Sequence, residues 1–172
     1  MDSQILLEVL RSAGGVLGTI NTKNEQAVPI VFSNPDVQWA TSYNLPRLGM
    51  GAFRLCIENL YKDATGHELQ DLVQLGKPQP STYEYATRIL QEWRRDMGGG
   101  KDAPENLTMY MIGDSPDSDI RGAHVALWKS VLVKTGVWRE EGNSPQYPAD
   151  HVADNVLGAI KWILQTETSN VS

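Results

Sequence analysis

The run Thr108-Met-Tyr-Met-Ile-Gly-Asp-Ser-Pro-Asp-Ser-Asp-Ile-Arg-Gly-Ala123 constrains the fold more than any other part of the chain. Its apolar residues stop at a glycine, and Asp114, Asp117 and Asp119 come immediately after it. A short apolar run bounded by Gly, Asp and Pro reads as a buried parallel strand over Leu107–Ile112. Ser115-Pro116 then supplies an N-cap and a proline at the first helical position, predicting a helix through Leu127. Asp114 would lie at the carboxyl end of its strand, the edge where open α/β sheets bind ligands. Two readings fit the acidic cluster. Carboxylates gathered there suit a hard cation such as Mg²⁺, which takes oxygen ligands; equally, the Asp and Ser residues can serve only to cap the helix.

The remaining elements are read from pattern. Ile5–Leu10 reads as a helix stopped by Gly14-Gly15, and Pro29–Phe32 as a strand ended by the turn residues Ser33-Asn34-Pro35-Asp36. From about Gly51 to Ala64 an amphipathic helix sets Phe53, Cys56, Ile57 and Leu60 on one face, so Cys56 is expected in the core. Leu72–Leu75 is a strand. Ser81 and Glu84 have capping-box spacing, which starts a helix at Ser81 that continues through Tyr85, Ile89 and Trp93. Gly98-Gly-Gly100 is expected to be a surface linker. Ser130–Lys134 is another strand, and a last helix spans about Val156–Leu164 before a polar, frayed tail, Thr166–Ser172. From Leu72 onward, strands and helices alternate as in a layered α/β sheet.

Composition removes several function classes. A chain of 172 residues fits one large domain, or one domain plus part of another. A net charge of -6 argues against a nucleic-acid surface, which needs clustered Lys and Arg. One cysteine rules out an internal disulfide and is compatible with a reducing compartment. No apolar run approaches the ~20 residues of a membrane span. The start, Met-Asp-Ser-Gln-Ile, shows neither a secretory signal nor an Arg-rich mitochondrial presequence. His67, His124 and His151 lack metal-ligand spacing and are expected at surfaces or interfaces. Gly49-Met-Gly51 lacks the third glycine of a dinucleotide fingerprint, so a nucleotide-binding Rossmann protein ranks low.

Gly76-Lys77-Pro78, the helix after it, Gly113-Asp114-Ser-Pro-Asp-Ser-Asp119-Ile and Lys134-Thr-Gly-Val137 together resemble the haloacid dehalogenase-like (HAD) hydrolases. More narrowly they resemble subclass IIA, phosphatases with a large cap inserted before the lysine motif. Phe32-Ser-Asn34-Pro35-Asp36 is similar to the Asn-Pro-Asp element of those caps. Tyr43–Gly51 and Gly66-His-Glu-Leu69 look closest to the branch of the cat-eye-syndrome critical region protein 5 and its fungal relatives.

The resemblance implies an α/β fold: a partial Rossmann-like HAD core at 74–172 and the C-terminal part of a C2-type cap at 1–73. It implies that Asp114 holds Mg²⁺, that Asp119 orients a metal-bound water or the lysine, and that Lys77 neutralises nucleophile and phosphoryl oxygens. Asp117 falls at a position the pattern leaves free and is assigned to the helix start. Apart from the resemblance, Lys77 before a proline is an ordinary solvated turn lysine. Asn34 and Asp36 either contact substrate from the cap or simply form a turn.

One departure matters. The family nucleophile lies in an Asp-x-Asp motif near the start of the core, with a Ser or Thr motif after it. The one Asp-x-Asp here, Asp117-Ser118-Asp119, belongs to the later acidic motif. The expectation is therefore a fragment of a Mg²⁺-dependent phosphatase, inactive alone, whose intact form acts on a small phosphorylated molecule by aspartyl-phosphate chemistry. The alternative is a non-catalytic binding or scaffolding remnant. A missing neighbour for the Leu107–Ile112 strand would expose a sheet edge, open to self-association or to a partner's strand. The branch also implies a mitochondrial location and glycerophospholipid metabolism.

Overall fold

Residues 2–97 and 107–169 are described by a computed structural model. The chain divides into two units, Met1–Leu75 and Gly76–Ser172. In the first, α1 (Asp2–Arg11) and α2 (Met50–Thr65) pack on the parallel pair β1 (Ile30–Phe32) and β4 (Leu72–Gln74). Strand periodicity decides what β1 contributes: Ile30 and Phe32 are buried and Val31 between them is exposed. With Leu10, Ile57 and Tyr61 they form one apolar cluster. Gly66 closes α2 in the left-handed conformation, its N–H bonded to the Lys62 carbonyl at 2.8 Å. A short antiparallel hairpin, β2 (Gln38–Trp39) and β3 (Arg47–Leu48), stands between β1 and α2 in the sequence.

Two expectations for this unit need correction. Cys56 is exposed, not part of the core. The stripe that α2 buries runs through Phe53, Ile57 and Tyr61, and Cys56 lies roughly 100° round the helix from Ile57. The Leu72 strand pairs with β1 rather than with the later strands, so it does not open the second unit's sheet.

The second unit is built on three parallel strands in the order β5 (Tyr110–Gly113), β6 (Lys129–Val133), β7 (His151–Ala153). The central strand shows why both faces must be covered. Leu132 packs with Ile120 and Ala149 on one face. Val131 and Val133 pack on the other with Ala153 and with Ala159 of α5 (Val156–Ser169). The first face carries α4 (Arg121–Val125), against which α3 (Pro80–Asp96) rests. This is the expected layered α/β arrangement.

Differences from expectation are local. α3 begins at Pro80 with Gln79 as N-cap and no side-chain cap, because proline at the first position pre-sets the helical φ and leaves Ser81 inside the turn. Its Tyr85, Ile89 and Trp93 are exposed, while Tyr83 is buried. Strand β7 has no counterpart among the expected elements: His-Val-Ala is too short to show a period. α5 runs on to Ser169, past the expected start of the tail. The Gly98–Gly100 linker and residues 170–172 lie outside the described residues. No helix among those described is long and apolar enough to cross a membrane.

β6 and β7 are tied at their amino ends by Asp150. Its Oδ2 accepts from the Ser130 N–H at 2.9 Å and from the Ser130 hydroxyl at 3.0 Å, and Lys129 Nζ lies 3.0 Å from Oδ1. Burial alone would raise the Asp150 carboxyl pKa, but the Ser130 and Lys129 contacts outweigh it and hold it below its ordinary 3.8. A depressed folded-state value means stabilisation that is complete above the unfolded pKa and lost as pH falls through the folded one. Asp150→Asn should therefore lower the urea midpoint at neutral pH, with the gap to the native chain closing below about 3.8. A gap independent of pH would contradict this account.

Candidate functional site

β5 delivers Asp114 to the carboxyl edge of the sheet, and the chain then enters a wide turn rather than an ordinary helix start. Residues Pro116–Ile120 form a π-type turn, in which the Ile120 N–H reaches the Ser115 carbonyl at 3.3 Å. The extra width returns the Asp119 side chain to the turn's beginning. There Oδ2 accepts from the N–H groups of Asp114 and Ser115, each at 3.0 Å. Ser115 occupies the N-cap position, yet its hydroxyl makes no capping bond; the carboxylate of Asp119 does the capping instead. This fold-back requires Gly113, where any Cβ would overlap the Asp119 carboxyl group.

The other Asp119 oxygen is held by Lys77. Its ammonium donates to Oδ1, from a Gly76-Lys77-Pro78 turn that contains a cis Lys77–Pro78 peptide bond. The Asp119 side chain is 2% exposed and that of Lys77 40%, so the pair is dry at the acid and wet at the amine. A charge-assisted contact of this kind is shielded on one side and still accessible to an anion from solvent.

Asp114 is engaged differently. Its Oδ2 accepts from the Val137 N–H at 2.7 Å, and its main-chain carbonyl accepts from the Trp138 N–H at 3.0 Å. The loop after β6 is thereby pinned to the end of β5. Gly136 makes room for it, since a Cβ there would strike the Asp114 carboxyl. The second oxygen of Asp114 has no protein partner among the described residues. Asp117, assigned to the helix start, is exposed on the turn.

These positions bear on a divalent cation. Both oxygens of Asp119 are occupied, so of the two motif acids it is Asp114 that keeps an oxygen, Oδ1, for a ligand. No group of three or more His, Cys, Asp or Glu side chains that could hold a metal is present among the described residues. One carboxylate suits Mg²⁺ in the way that ion is often bound, with waters and substrate phosphate completing its shell. It does not make an all-protein cage.

Asn34 and Asp36 belong to the first unit, in the turn after β1. The Asp36 N–H donates to Asn34 Oδ1 at 3.1 Å, so the Asn34 side chain shapes the turn it sits in. The geometry of Asn-Pro-Asp is thus that of a turn within its own unit. Sequence reasoning missed three contributors to the site: the Val137 N–H, the Ser115 N–H and Tyr83. Main-chain donors carry no residue signature. Gly113, directly before Asp114, and Gly136, in the Lys134–Val137 motif, are the clue the sequence offers.

The fold-back predicts a graded loss of stability. Asp119→Ala leaves the Asp114 and Ser115 N–H groups without acceptors, a cost of about 2–4 kcal/mol in urea unfolding. Asp119→Asn retains an oxygen for them and should cost less. Equal losses would mean that the carboxylate caps nothing.

Comparison with known proteins adds the lineage. Residues 74–159 match the model of the HAD-hydrolase-like family. The chain is 42% identical over 164 residues to a Schizosaccharomyces pombe protein named as a cardiolipin synthase (CMP-forming) and mitochondrial hydrolase fusion, covering 95% of this chain and 27% of that protein. It is 35% identical over 181 residues to a mitochondrial hydrolase of Saccharomyces cerevisiae, covering 95% and 51% respectively. Among solved structures, the p-nitrophenyl phosphatase of Archaeoglobus fulgidus superposes with a TM-score of 0.52 at 25% identity, over 78% of this chain and 46% of that one. The chain therefore spans about a quarter to a half of the relatives it matches. The matched span contains the lysine turn, the acid turn and all three parallel strands of the second unit, and the chain belongs to the HAD-hydrolase-like family.

Proposed function

We propose that this chain carries the lysine and acidic portion of a Mg²⁺-assisted phosphatase centre of the subclass IIA type, acting on a small phosphate ester. The observation that carries the reading is the link from Lys77 through Asp119 to the Asp114 and Ser115 N–H groups. It fixes the ammonium on Asp119, and the same carboxylate holds the backbone of Asp114, whose own side chain keeps one oxygen open. Lys77 offers its exposed head to phosphoryl oxygens, and Asp119 holds that head in place. Asp114 would hold the cation, with Val137 orienting its carboxyl group. Bound Mg²⁺ would offset charge on the phosphate oxygens.

In this reading residues 1–73 are part of a cap, and Asn34 and Asp36 offer polar contacts to the substrate from it. The yeast relatives, both named as mitochondrial hydrolases, support a mitochondrial setting. The fission-yeast relative, named together with a cardiolipin synthase, supports a link to glycerophospholipid metabolism. Aspartyl-phosphate chemistry needs an acceptor carboxylate. The only Asp-x-Asp in these residues is Asp117–Asp119, with Asp117 exposed on the turn and Asp119 committed to Lys77. That commitment favours a second reading for the chain by itself, a module that binds phosphate without turning it over.

Calorimetry with inorganic phosphate and Mg²⁺ tests the centre. Binding should require the cation and should disappear in Asp114→Asn and in Lys77→Ala. No turnover of p-nitrophenyl phosphate is expected from the chain alone. Phosphate binding indifferent to Mg²⁺ and to both substitutions would sink the proposal, while Mg²⁺-dependent turnover would refute the claim that an acceptor is lacking.

The sheet edge belongs to the same reading. β5 pairs with β6 and with no other strand among the described residues. We propose that its outer edge takes a strand from a partner segment or from a second copy. Light scattering should then show self-association, or an apolar dye should bind. A monomer that unfolds cooperatively and binds no dye would exclude this.

A further inference from the structure

The segment that carries Lys77 also carries Tyr83, and both side chains reach the same residue. Tyr83 is buried, at 4% exposure. Its hydroxyl lies 3.2 Å from the main-chain carbonyl of Asp119 and 3.3 Å from that of Ser118, so the phenol donates to the π-type turn itself. The ring is seated by its neighbours. Trp128 meets it edge-on, with centroids 5.3 Å apart and planes at 81°. Gly122 leaves the space the phenol occupies, for a Cβ there would overlap the ring and its hydroxyl. Burial first, and the negative charge of Asp119 second, push the phenol pKa up to about 12. The group therefore remains a donor throughout the physiological range.

Lys77 and Tyr83 thus hold Asp119 from its two ends. The lysine grips the carboxylate and the tyrosine grips the backbone from which that carboxylate projects. A neutral hydrogen bond is worth little for global stability, on the order of 1 kcal/mol, but here it fixes where a side chain points. We propose that Tyr83 is a positioning residue, setting the turn so that the Asp119 carboxylate meets the Lys77 ammonium. Tyr85, two residues on, is exposed and has no such role. This role for Tyr83 rests on the packing of α3 against the turn and does not depend on the phosphatase reading.

Selective acylation of lysine amines reads the contact without metal, phosphate or turnover. The full chain is exposed to a limiting amount of an acetylating ester, and the rates at Lys77, Lys129 and Lys134 are monitored by mass spectrometry. Lys129 and Lys134 pair with Asp150 and Asp154, not with Asp119, and report the state of the rest of the unit. Asp119→Asn sets the rate of an amine released from its partner. Tyr83→Phe keeps the ring and removes only the hydroxyl, and should raise the Lys77 rate by about fivefold, the factor equivalent to one lost hydrogen bond. Lys129 and Lys134 should stay at native rates.

Should Tyr83→Phe fail to fold, Gly122→Ala intrudes on the space of the same hydroxyl and should give the same selective rise. A native Lys77 rate in the folded variant overturns the proposal. So does a rise shared by all three lysines in both variants, which would mean general loosening. An unchanged Lys77 rate in Asp119→Asn also overturns it, since the carboxylate would then not control the amine. A failed phosphate titration leaves each of these outcomes as informative as before.

Discussion

The carboxylate of Asp119 is the contact on which the carboxyl edge of the second unit's sheet depends. It is almost fully buried, and three donors meet it: the Lys77 ammonium and the N–H groups of Asp114 and Ser115. A buried carboxylate without partners is costly, and the three donors offset the water it gives up. In return the acid joins segments more than thirty residues apart in sequence, the lysine turn before α3 and the acid turn after β5. Asp114 is held in place by the same arrangement, because its own N–H is one of the donors.

The wide turn explains how a single side chain can do this. A standard first helical turn would leave the first N–H groups to be satisfied by a hydroxyl at the N-cap. Pro116 contributes no N–H, and the i-to-i+5 bond from Ile120 to Ser115 opens the ring enough for a carboxylate from within the turn to swing back. π-type turns are often found at functional sites. The helix beyond it is short, ending at Val125, so the turn is stabilised from outside, by Tyr83 and by the Ile120–Leu132 contact.

Much of the second unit was legible in the sequence because its signals were chemical as well as periodic. The break from Ile112 to Gly113-Asp114 marks a strand end, and Lys77 beside a proline becomes meaningful once that acid turn is seen. The first unit was harder. The α2 stripe was misplaced by one position, which put Cys56 inside and overlooked Tyr61. Ser81 satisfied a capping pattern that Pro80 pre-empted. β7 escaped because three residues cannot display alternation. Tyr83 could not be told from Tyr85 by sequence, since what separates them is the gap left by Gly122 on a different helix.

The hold on Asp114 has a quieter consequence. Its carboxyl orientation is set by a peptide N–H at position 137, not by any side chain there. Natural variation can exchange valine for almost anything at that site without turning the acid, provided the residue is not proline, which has no hydrogen to give. Apart from Gly136, where a Cβ would strike the carboxyl group, the loop beyond β6 can diversify its surface while its backbone keeps one carboxylate aimed.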